Sequence, residues 1–172
     1  MTRLESGAIT PNVGLHDLGE IVGSTLQRAT RILDQHTVQV DVASDLPMVE
    51  VDPVLFEQVL FNLVDNAAKY APCDSVVSIR AWRDNETVRV QVLDEGEGIP
   101  PAELEHIFDK FYRVHKQDSV RAGTGLGLAI SRGFVEAMRG TITAGNRTDR
   151  PGAVFTIVLP VPAHAEKMDD AA

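Results

Sequence analysis

Cysteine, positive charge and long apolar runs are all scarce in this sequence. Its 172 residues include one cysteine, Cys73, so a single chain can form neither a disulfide framework nor a cysteine-based zinc site. The formal net charge of -9 argues against binding to nucleic acid or to an anionic lipid surface. No segment approaches the roughly 20 apolar residues that a membrane-spanning helix needs. The first residues, MTRLESGAITPN, also lack the apolar core of a signal peptide.

The elements that are present predict a mixed α/β domain. Helical spacing of apolar residues predicts helices over 15–33, 53–70 and 127–140 with a short one over 101–108, and alternation predicts strands over 37–43, 75–83, 87–94, 141–145 and 153–160. Asp52 is a good N-cap for the second helix, since Pro53 follows it, and Pro72 ends that helix. Hairpin-paired strands with helices on one side predict a two-layer α/β sandwich with a mixed sheet.

The helix over 53–70 carries polar residues on an otherwise apolar surface. Asn62, Asn66, Lys69 and Tyr70 fall on one stripe at 100° per residue. A buried amide without a partner costs about 1–3 kcal/mol, so the two amides need partners. Hydrogen bonds to a neighbouring loop would satisfy them. A ligand would also satisfy them, because an amide oxygen suits Mg²⁺ and a lysine suits phosphate.

Two glycine-containing segments lie next to predicted elements. The first follows a strand, and the second precedes a helix. Asp94 ends a strand and is followed by Gly96 and Gly98, which let the backbone approach a ligand closely. A carboxylate there could accept a hydrogen bond from an exocyclic amine such as that of adenine. The alternative is an acidic surface turn, which is our interpretation of Glu95 and Glu97.

The second glycine segment, AGTGLGLAIS, leads into the helix over 127–140. Gly123, Gly125 and Gly127 precede the helix N-terminus, where phosphate binds readily, although a flexible turn has the same composition. The spacing excludes a dinucleotide fingerprint, because Leu128 stands where glycine is needed, and no Gly-Lys-Ser/Thr follows as in a Walker A loop. Upstream, the otherwise acidic chain carries a local basic group that suits a polyphosphate or is simply a solvated loop: Lys110, Arg113, Lys116 and Arg121.

The four segments together resemble a known family. NLVDNAAKY, DEGEG, FDKFYR and GTGLGLA stand in the order of the N box, first glycine box, F box and second glycine box of sensor histidine kinases. The resemblance is to the catalytic and ATP-binding domain of those kinases and covers roughly residues 15–160. VDPVLFEQVLFNLVDNAAKYA and TITAGNR with GAVFTIVLP are most similar to the potassium-responsive KdpD-type kinases.

The resemblance implies the Bergerat ATP-binding fold, a mixed sheet faced by helices, with ATP and Mg²⁺ as ligands. It implies that Asn66 coordinates Mg²⁺ and that Asn62 beside it contacts the metal or the phosphates. Lys69 should reach the phosphates and form, with the two asparagines, the catalytic group. Tyr70 should flank the nucleotide, and Asp94 should accept a hydrogen bond from the adenine amine.

The other implied nucleotide contacts come from three segments. Gly96 and Gly98, with Ile99, should make room for the nucleotide. Phe108 and Phe111 should anchor a mobile lid over ATP. Two groups of positions complete the set: the γ-phosphate contacts Lys110 and Arg113, and the lid segment Gly123, Thr124, Gly125, Leu126, Gly127 and Leu128.

The residue at position 62 indicates which group accepts the phosphate. Relatives of this fold that hydrolyse ATP carry glutamate four residues before the metal-binding asparagine, as a base for water. This chain has Asn62 there, and an amide cannot act as a general base. The expected acceptor is therefore a histidine imidazole, which is nucleophilic when neutral near pH 7. An anti-sigma-type serine kinase and a nucleotide sensor that never transfers phosphate remain the alternatives.

The phosphoacceptor motif of the family, His followed by Glu or Asp and then Arg-Thr-Pro, does not occur around any of the five histidines. We therefore expect the acceptor on a dimerisation domain outside this sequence, with a response regulator as the next partner. The expected organisation is the end of a dimerisation helix and linker over 1–12, the catalytic domain over 13–162 and a disordered tail over 163–172. We expect a monomer without nucleic-acid or direct membrane contact, located in the cytoplasm as part of a membrane-bound sensor.

Overall fold

A computed structural model describes residues 10–112 and 126–163. Its elements in chain order are β1 (Gly14–His16), α1 (Leu18–Arg28), β2 (Thr37–Val42), β3 (Val49–Val51), α2 (Pro53–Tyr70), β4 (Val76–Asp84), β5 (Thr87–Leu93), a 3₁₀ turn (Pro101–Glu103), α3 (Gly127–Ala137), β6 (Thr141–Asn146) and β7 (Ala153–Pro160). None of these helices is long and apolar enough to cross a membrane.

Five strands form a mixed sheet in the order β2-β4-β5-β7-β6. β2 runs parallel to β4, and the other neighbours are antiparallel. One face is apolar because alternate residues of the three central strands are buried: Val77, Ile79, Ala81, Val88, Val90, Val92, Phe155, Ile157 and Leu159. α2 packs on β4 and β5 and also contacts α1 and α3. The predicted two-layer α/β sandwich is therefore confirmed.

α2 begins and ends where the sequence signals predict. The Asp52 carboxylate accepts hydrogen bonds from the backbone N–H of Val54 at 3.0 Å and Leu55 at 3.3 Å, and Pro53 occupies the first turn. Ala71 leaves the helix in an extended conformation, as a residue before proline does. The apolar face of α2 is buried along the helix, at Phe56, Val59, Leu60, Leu63, Val64 and Ala67.

The first predicted helix is shorter than its periodicity indicates. Leu15 belongs to β1, which pairs antiparallel with β3, and three-residue strands carry too little alternation to be recognised. Asp17 caps α1, accepting from the backbone N–H of Gly19 at 2.8 Å. At the other end, the Thr30 hydroxyl donates to the carbonyls of Leu26 and Gln27, an arrangement that competes with continued helix. The predicted helix over 101–108 is likewise reduced to the 3₁₀ turn.

Gly23 lies in the middle of α1 on its exposed side. A Cβ added there meets no atom within 4 Å. Glycine in a helix interior is less stable than alanine by roughly 0.5–1 kcal/mol, so Gly23→Ala is expected to raise the free energy of unfolding by that amount. Urea unfolding measures it. Gly19→Ala is the control, since its Cβ would lie 3.1 Å from the capping oxygen of Asp17, and an equal gain there would contradict the reasoning.

Candidate functional site

The polar stripe of α2 lies at the edge of the core. Asn62, Asn66 and Lys69 are half-buried, and Tyr70 is 37% exposed. The helix buries its opposite side against the sheet, so its amphipathic character alone directs these four side chains away from the core. The stripe therefore forms a polar surface along one side of a rigid helix.

Asn62 is hydrogen-bonded within the protein. Its Oδ1 accepts from Gln58 Nε2 at 2.9 Å, and its Nδ2 lies 3.3 Å from the Gly127 carbonyl oxygen and 3.2 Å from Ser131 Oγ. Ser131 is fully buried. The Asn62 amide therefore connects α2 to the start of α3. Neighbouring protein groups thus satisfy this amide, which is the first of the two possibilities considered from the sequence.

Asn66 and Lys69 lie further along the same stripe. Within residues 10–112 and 126–163, no group hydrogen-bonds the Asn66 amide. Lys69 Nζ forms an ion pair with Asp65 Oδ2 at 3.0 Å, one turn back on the helix. Both side chains remain partly exposed. A half-exposed pair of this kind contributes little to stability, so the ammonium group can turn toward a phosphate at small cost.

Asp94 lies directly after β5 and is buried, with 6% exposure. Its Oδ1 accepts from the backbone N–H of Gly96 at 2.8 Å and of Ala153 at 3.1 Å. Its Oδ2 accepts no hydrogen bond from the described part of the chain. Two backbone donors thus fix the orientation of the carboxylate and leave one oxygen available to an amine of a ligand.

The segment 94–99 packs directly on the end of α2. A Cβ at Gly96 would lie 2.9 Å from the Tyr70 carbonyl oxygen, so only glycine allows this approach. Gly98 has a φ of +82°, and a Cβ there would lie 2.6 Å from Asn146 Oδ1. Tertiary structure therefore brings the first glycine segment against Tyr70, just as it brings Gly127 against Asn62.

The phenylalanines expected in a lid occupy different environments. Phe108 is buried, edge-on to Phe155 with ring centroids 6.3 Å apart, and the Arg132 guanidinium lies 5.4 Å from its ring. Phe111 is 70% exposed with a φ of +64°. Phe108 therefore anchors this segment to the core and to α3, whereas Phe111 projects outward.

The remaining predicted site residues divide into described and undescribed positions. Ile99 packs against the core, and Lys110 is exposed. Leu126 and Leu128, on either side of Gly127 at the start of α3, are half-buried. Four predicted positions lie outside the described residues, as does most of the predicted tail: Arg113, Gly123, Thr124 and Gly125.

Glu95, interpreted from the sequence as part of an acidic surface turn, is partly exposed but also makes specific contacts. Its Oε1 accepts from the backbone N–H of Val76 at 2.7 Å, and its Oε2 pairs with Arg150 at 2.9 Å. The turn between β6 and β7, residues 146–153, was not predicted from the sequence to contribute to the site. Its contacts with 94–99 involve Asn146, Arg147 and Arg150, and only the basic residues of NRTDRPG hint at them.

The pKa values of two carboxyls near this turn are lowered. The Val76 N–H and then Arg150 lower the pKa of Glu95, and Arg147 lowers the pKa of Asp149 to about 2. A carboxyl whose pKa is lower in the folded state stabilises the fold above its ordinary pKa, and this contribution is lost as pH falls through the lowered value. We therefore expect the free energy of unfolding to fall below pH 4.5, the ordinary value for glutamate, and on toward pH 2.

Urea unfolding of the wild type and of the double variant Glu95→Gln, Asp149→Asn at pH 5 and pH 3 measures this dependence. The wild type should lose more stability between the two pH values than the double variant does. Equal losses would show that the two ion pairs do not contribute.

Comparison with known proteins identifies the family. The sequence model of the family described as histidine kinase-, DNA gyrase B- and HSP90-like ATPase matches residues 51–163, which include α2, the 94–99 segment and α3. The chain belongs to this family. The predicted Bergerat-type ATP-binding fold is thereby confirmed.

Individual relatives within the ATPase family indicate which type of ATP-binding domain this is. The chain is 41% identical to the sensor protein KdpD of Escherichia coli over 93% of its own length and 18% of that protein. It is 40% identical to KdpD of Mycobacterium tuberculosis strain H37Rv, over 96% of the chain and 19% of the relative. The chain thus spans less than a fifth of the length of these sensor kinases.

Solved histidine kinases have the same fold. The structure of full-length ShkA in complex with AMPPNP matches with a TM-score of 0.80 and 27% identity, over 92% of this chain and 33% of that one. The catalytic domain of ThkA matches with a TM-score of 0.77 and 25% identity, over 90% and 99%. The prediction of an ATP-binding kinase domain of the sensor histidine kinase type is confirmed.

Proposed function

We propose that this domain binds Mg²⁺-ATP between the polar stripe of α2 and the 94–99 segment, and transfers the γ-phosphate to a histidine outside the sequence. The observation that carries the proposal is the Asp94 carboxylate, which two backbone donors hold with Oδ2 left to a ligand. An acceptor-only group in a buried position matches the exocyclic amine of adenine.

The same geometry supports roles for the residues around Asp94. Because Gly96 and Gly98 have no side chains, the backbone beside Tyr70 leaves room for a flat base to approach. Ile99 adds apolar surface at the end of this segment. Asp94, Gly96, Gly98 and Ile99 therefore form the adenine side of the proposed site, with Tyr70 flanking the nucleotide.

The stripe of α2 supplies the phosphate side. Mg²⁺ usually keeps several waters and binds one or two protein ligands plus phosphate oxygens, so the single amide oxygen of Asn66 fits it. Bound there, Mg²⁺ would neutralise charge on the phosphates. Lys69 would exchange Asp65 for a phosphate oxygen. Asn62, which is already bonded to Gly127 and Ser131, would act beside the metal by fixing α3 rather than as a free ligand.

Residues near the predicted lid would close the site over the triphosphate. Phe108 and Phe111 would carry the lid, Lys110 and Arg113 would contact the γ-phosphate, and the segment 123–128 would wrap the phosphates with its backbone N–H groups. Phe108 is the anchoring member of this set, because it alone of the two phenylalanines is buried.

The chemistry follows from the absence of a base at position 62. An imidazole nitrogen needs no base to attack phosphorus when it is neutral. The bond between the γ-phosphorus and its bridging oxygen breaks, a phosphorus–nitrogen bond forms, ADP leaves, and the second imidazole nitrogen releases its proton. Within this chain, His36 is a poor acceptor, since its two nitrogens lie 3.1 Å from the Ala68 carbonyl oxygen and 3.4 Å from Ser75 Oγ.

The wider assembly is proposed on the same basis. The acceptor histidine would lie on a dimerisation domain, to which residues 1–12 connect the catalytic domain of 13–162, with 163–172 as a tail. A response regulator would receive the phosphoryl group, and the parent would be a potassium-responsive membrane sensor whose cytoplasmic part includes this domain. The 172-residue chain by itself would be monomeric, which sedimentation measures.

Phosphotransfer in vitro tests the function. The chain is incubated with γ-labelled ATP, Mg²⁺ and a separate dimerisation fragment that carries the His-Glu/Asp-Arg-Thr-Pro motif. We expect acid-labile label on the fragment, loss of transfer in Asn66→Ala, and normal transfer in Val54→Ala, a control that changes an exposed residue of the same helix. Acid-stable label would favour a serine kinase, and ATP binding without transfer would favour a nucleotide sensor.

A further inference from the structure

The 94–99 segment is held from outside by the turn between β6 and β7. Asn146 ends β6, and its amide pairs with both backbone groups of Ile99. Its Oδ1 accepts from the Ile99 N–H at 2.7 Å, and its Nδ2 donates to the Ile99 carbonyl at 2.7 Å. This pairing imitates a strand contact at a point where no strand continues, and it fixes the far end of the segment.

Arg147 holds the near end. Its side chain is only 4% exposed, and its terminal nitrogen donates to the Asp94 carbonyl oxygen at 3.2 Å. Its other two nitrogens form a bidentate pair with Asp149, each at 3.0 Å. A buried guanidinium fixed in this way has little freedom, so it determines where the Asp94 backbone lies.

The same turn makes two further contacts with this segment. Arg150 donates to Glu95 Oε2 at 2.9 Å, and Ala153 donates to Asp94 Oδ1 at 3.1 Å. Contacts from the turn therefore reach the first, second and last residues of 94–99. None of these turn residues is among the site residues that the family resemblance implies.

We propose that Asn146 and Arg147 are positioning residues that determine adenine recognition. They hold the 94–99 segment so that Asp94 Oδ2 faces the exocyclic amine of the base. This inference rests on the proposed function, since it assumes that adenine lies against Asp94. A carboxylate recognises an amine only when its distance and direction are held closely, and such precision comes from the residues that support the contact.

The test compares two ligands that differ by one amine. Calorimetry with the 172-residue chain measures the Kd of ADP and of purine riboside diphosphate, which lacks the 6-amino group. The wild type should bind ADP more tightly. Asn146→Asp places a carboxylate oxygen against the Ile99 carbonyl, and Arg147→Ala releases Asp94. In each variant, the preference for ADP should fall by about tenfold or more, toward equal affinity.

The ratio of the two affinities separates positioning from loss of fold. A variant that merely unfolds more easily binds both ligands less well but keeps their ratio. Thr148→Ala is the matched control, because Thr148 is an exposed residue of the same turn, and it should keep both affinities. Arg147→Lys retains one donor and should recover part of the preference.

Three outcomes are informative. Loss of the preference in Asn146→Asp and Arg147→Ala, with normal behaviour of Thr148→Ala, supports the inference. A wild-type preference that both variants retain overturns it while leaving the proposed function intact. A wild type that binds neither ligand overturns the proposed function itself.

Discussion

Asp94→Asn is expected to raise the Kd for ADP by about 10- to 140-fold. A hydrogen bond to a charged group contributes roughly 1.5–3 kcal/mol, and each 1.4 kcal/mol is a factor of ten. The asparagine can keep its oxygen on the N–H groups of Gly96 and Ala153. Its amino group then takes the place of Oδ2 and faces the adenine amine, so a donor meets a donor.

Calorimetric titration of Mg²⁺-ADP measures this effect, and thermal unfolding confirms that the variant is folded. Asp84→Asn is a suitable control, since Asp84 is also a carboxylate at the end of a strand, but its side chain is 44% exposed and pairs with Arg89. The control should bind normally. Unchanged affinity in a folded Asp94→Asn variant would contradict the assignment of Asp94 to the base.

Gly152→Ala is expected to damage both stability and nucleotide binding. Gly152 has a φ of +149°, a conformation that is essentially restricted to glycine and costs other residues about 1–3 kcal/mol. A Cβ there would clash with the Asp94 carbonyl oxygen. The backbone of Asp94 or of the turn must move to relieve this contact. We therefore expect a loss of at least about 2 kcal/mol in unfolding free energy and a Kd for ADP raised tenfold or more.

Gly145→Ala is the matched control for this substitution. Gly145 lies in β6 just before the same turn, but its Cβ would meet only Val154, at an ordinary distance of 3.8 Å. Urea unfolding and ADP titration of both variants make the comparison. If the two variants behave alike, the close approach of Gly152 to Asp94 is not what positions the carboxylate.

The elements that were predicted accurately have strong local signals at both ends. α2 is bounded by Asp52-Pro53 and Pro72, and its apolar face repeats without interruption over 18 residues. The hairpin of β4 and β5 turns at Asn85 and Glu86, and Asn85 has a positive φ of the kind that such turns require. β1 and β3 have no comparable signal, because each is three residues long and exists only by pairing with the other.

The candidate site was predicted as a set of residue types, and the structure separates their surroundings. Asn62 and Asn66 are both asparagines, and they lie on the same stripe of α2. α3 lies beside Asn62 and occupies its amide, whereas no described residue bonds to Asn66. Spacing along a helix indicates which side chains share a face, but it does not indicate which of them a distant helix will contact.

Local sequence thus determines the helices with capped ends, the central strands, the apolar face and the identity of the residues around the proposed nucleotide site. These properties depend on residues within one or two turns of each other. Tertiary structure alone decides that Asn146 and Arg147 hold 94–99, that Glu95 joins Val76 to Arg150, and that Phe108 is buried while Phe111 is exposed. Those contacts join residues far apart in the chain, and they form only because the antiparallel register of β5 and β7 places Asp94 beside the turn that precedes β7.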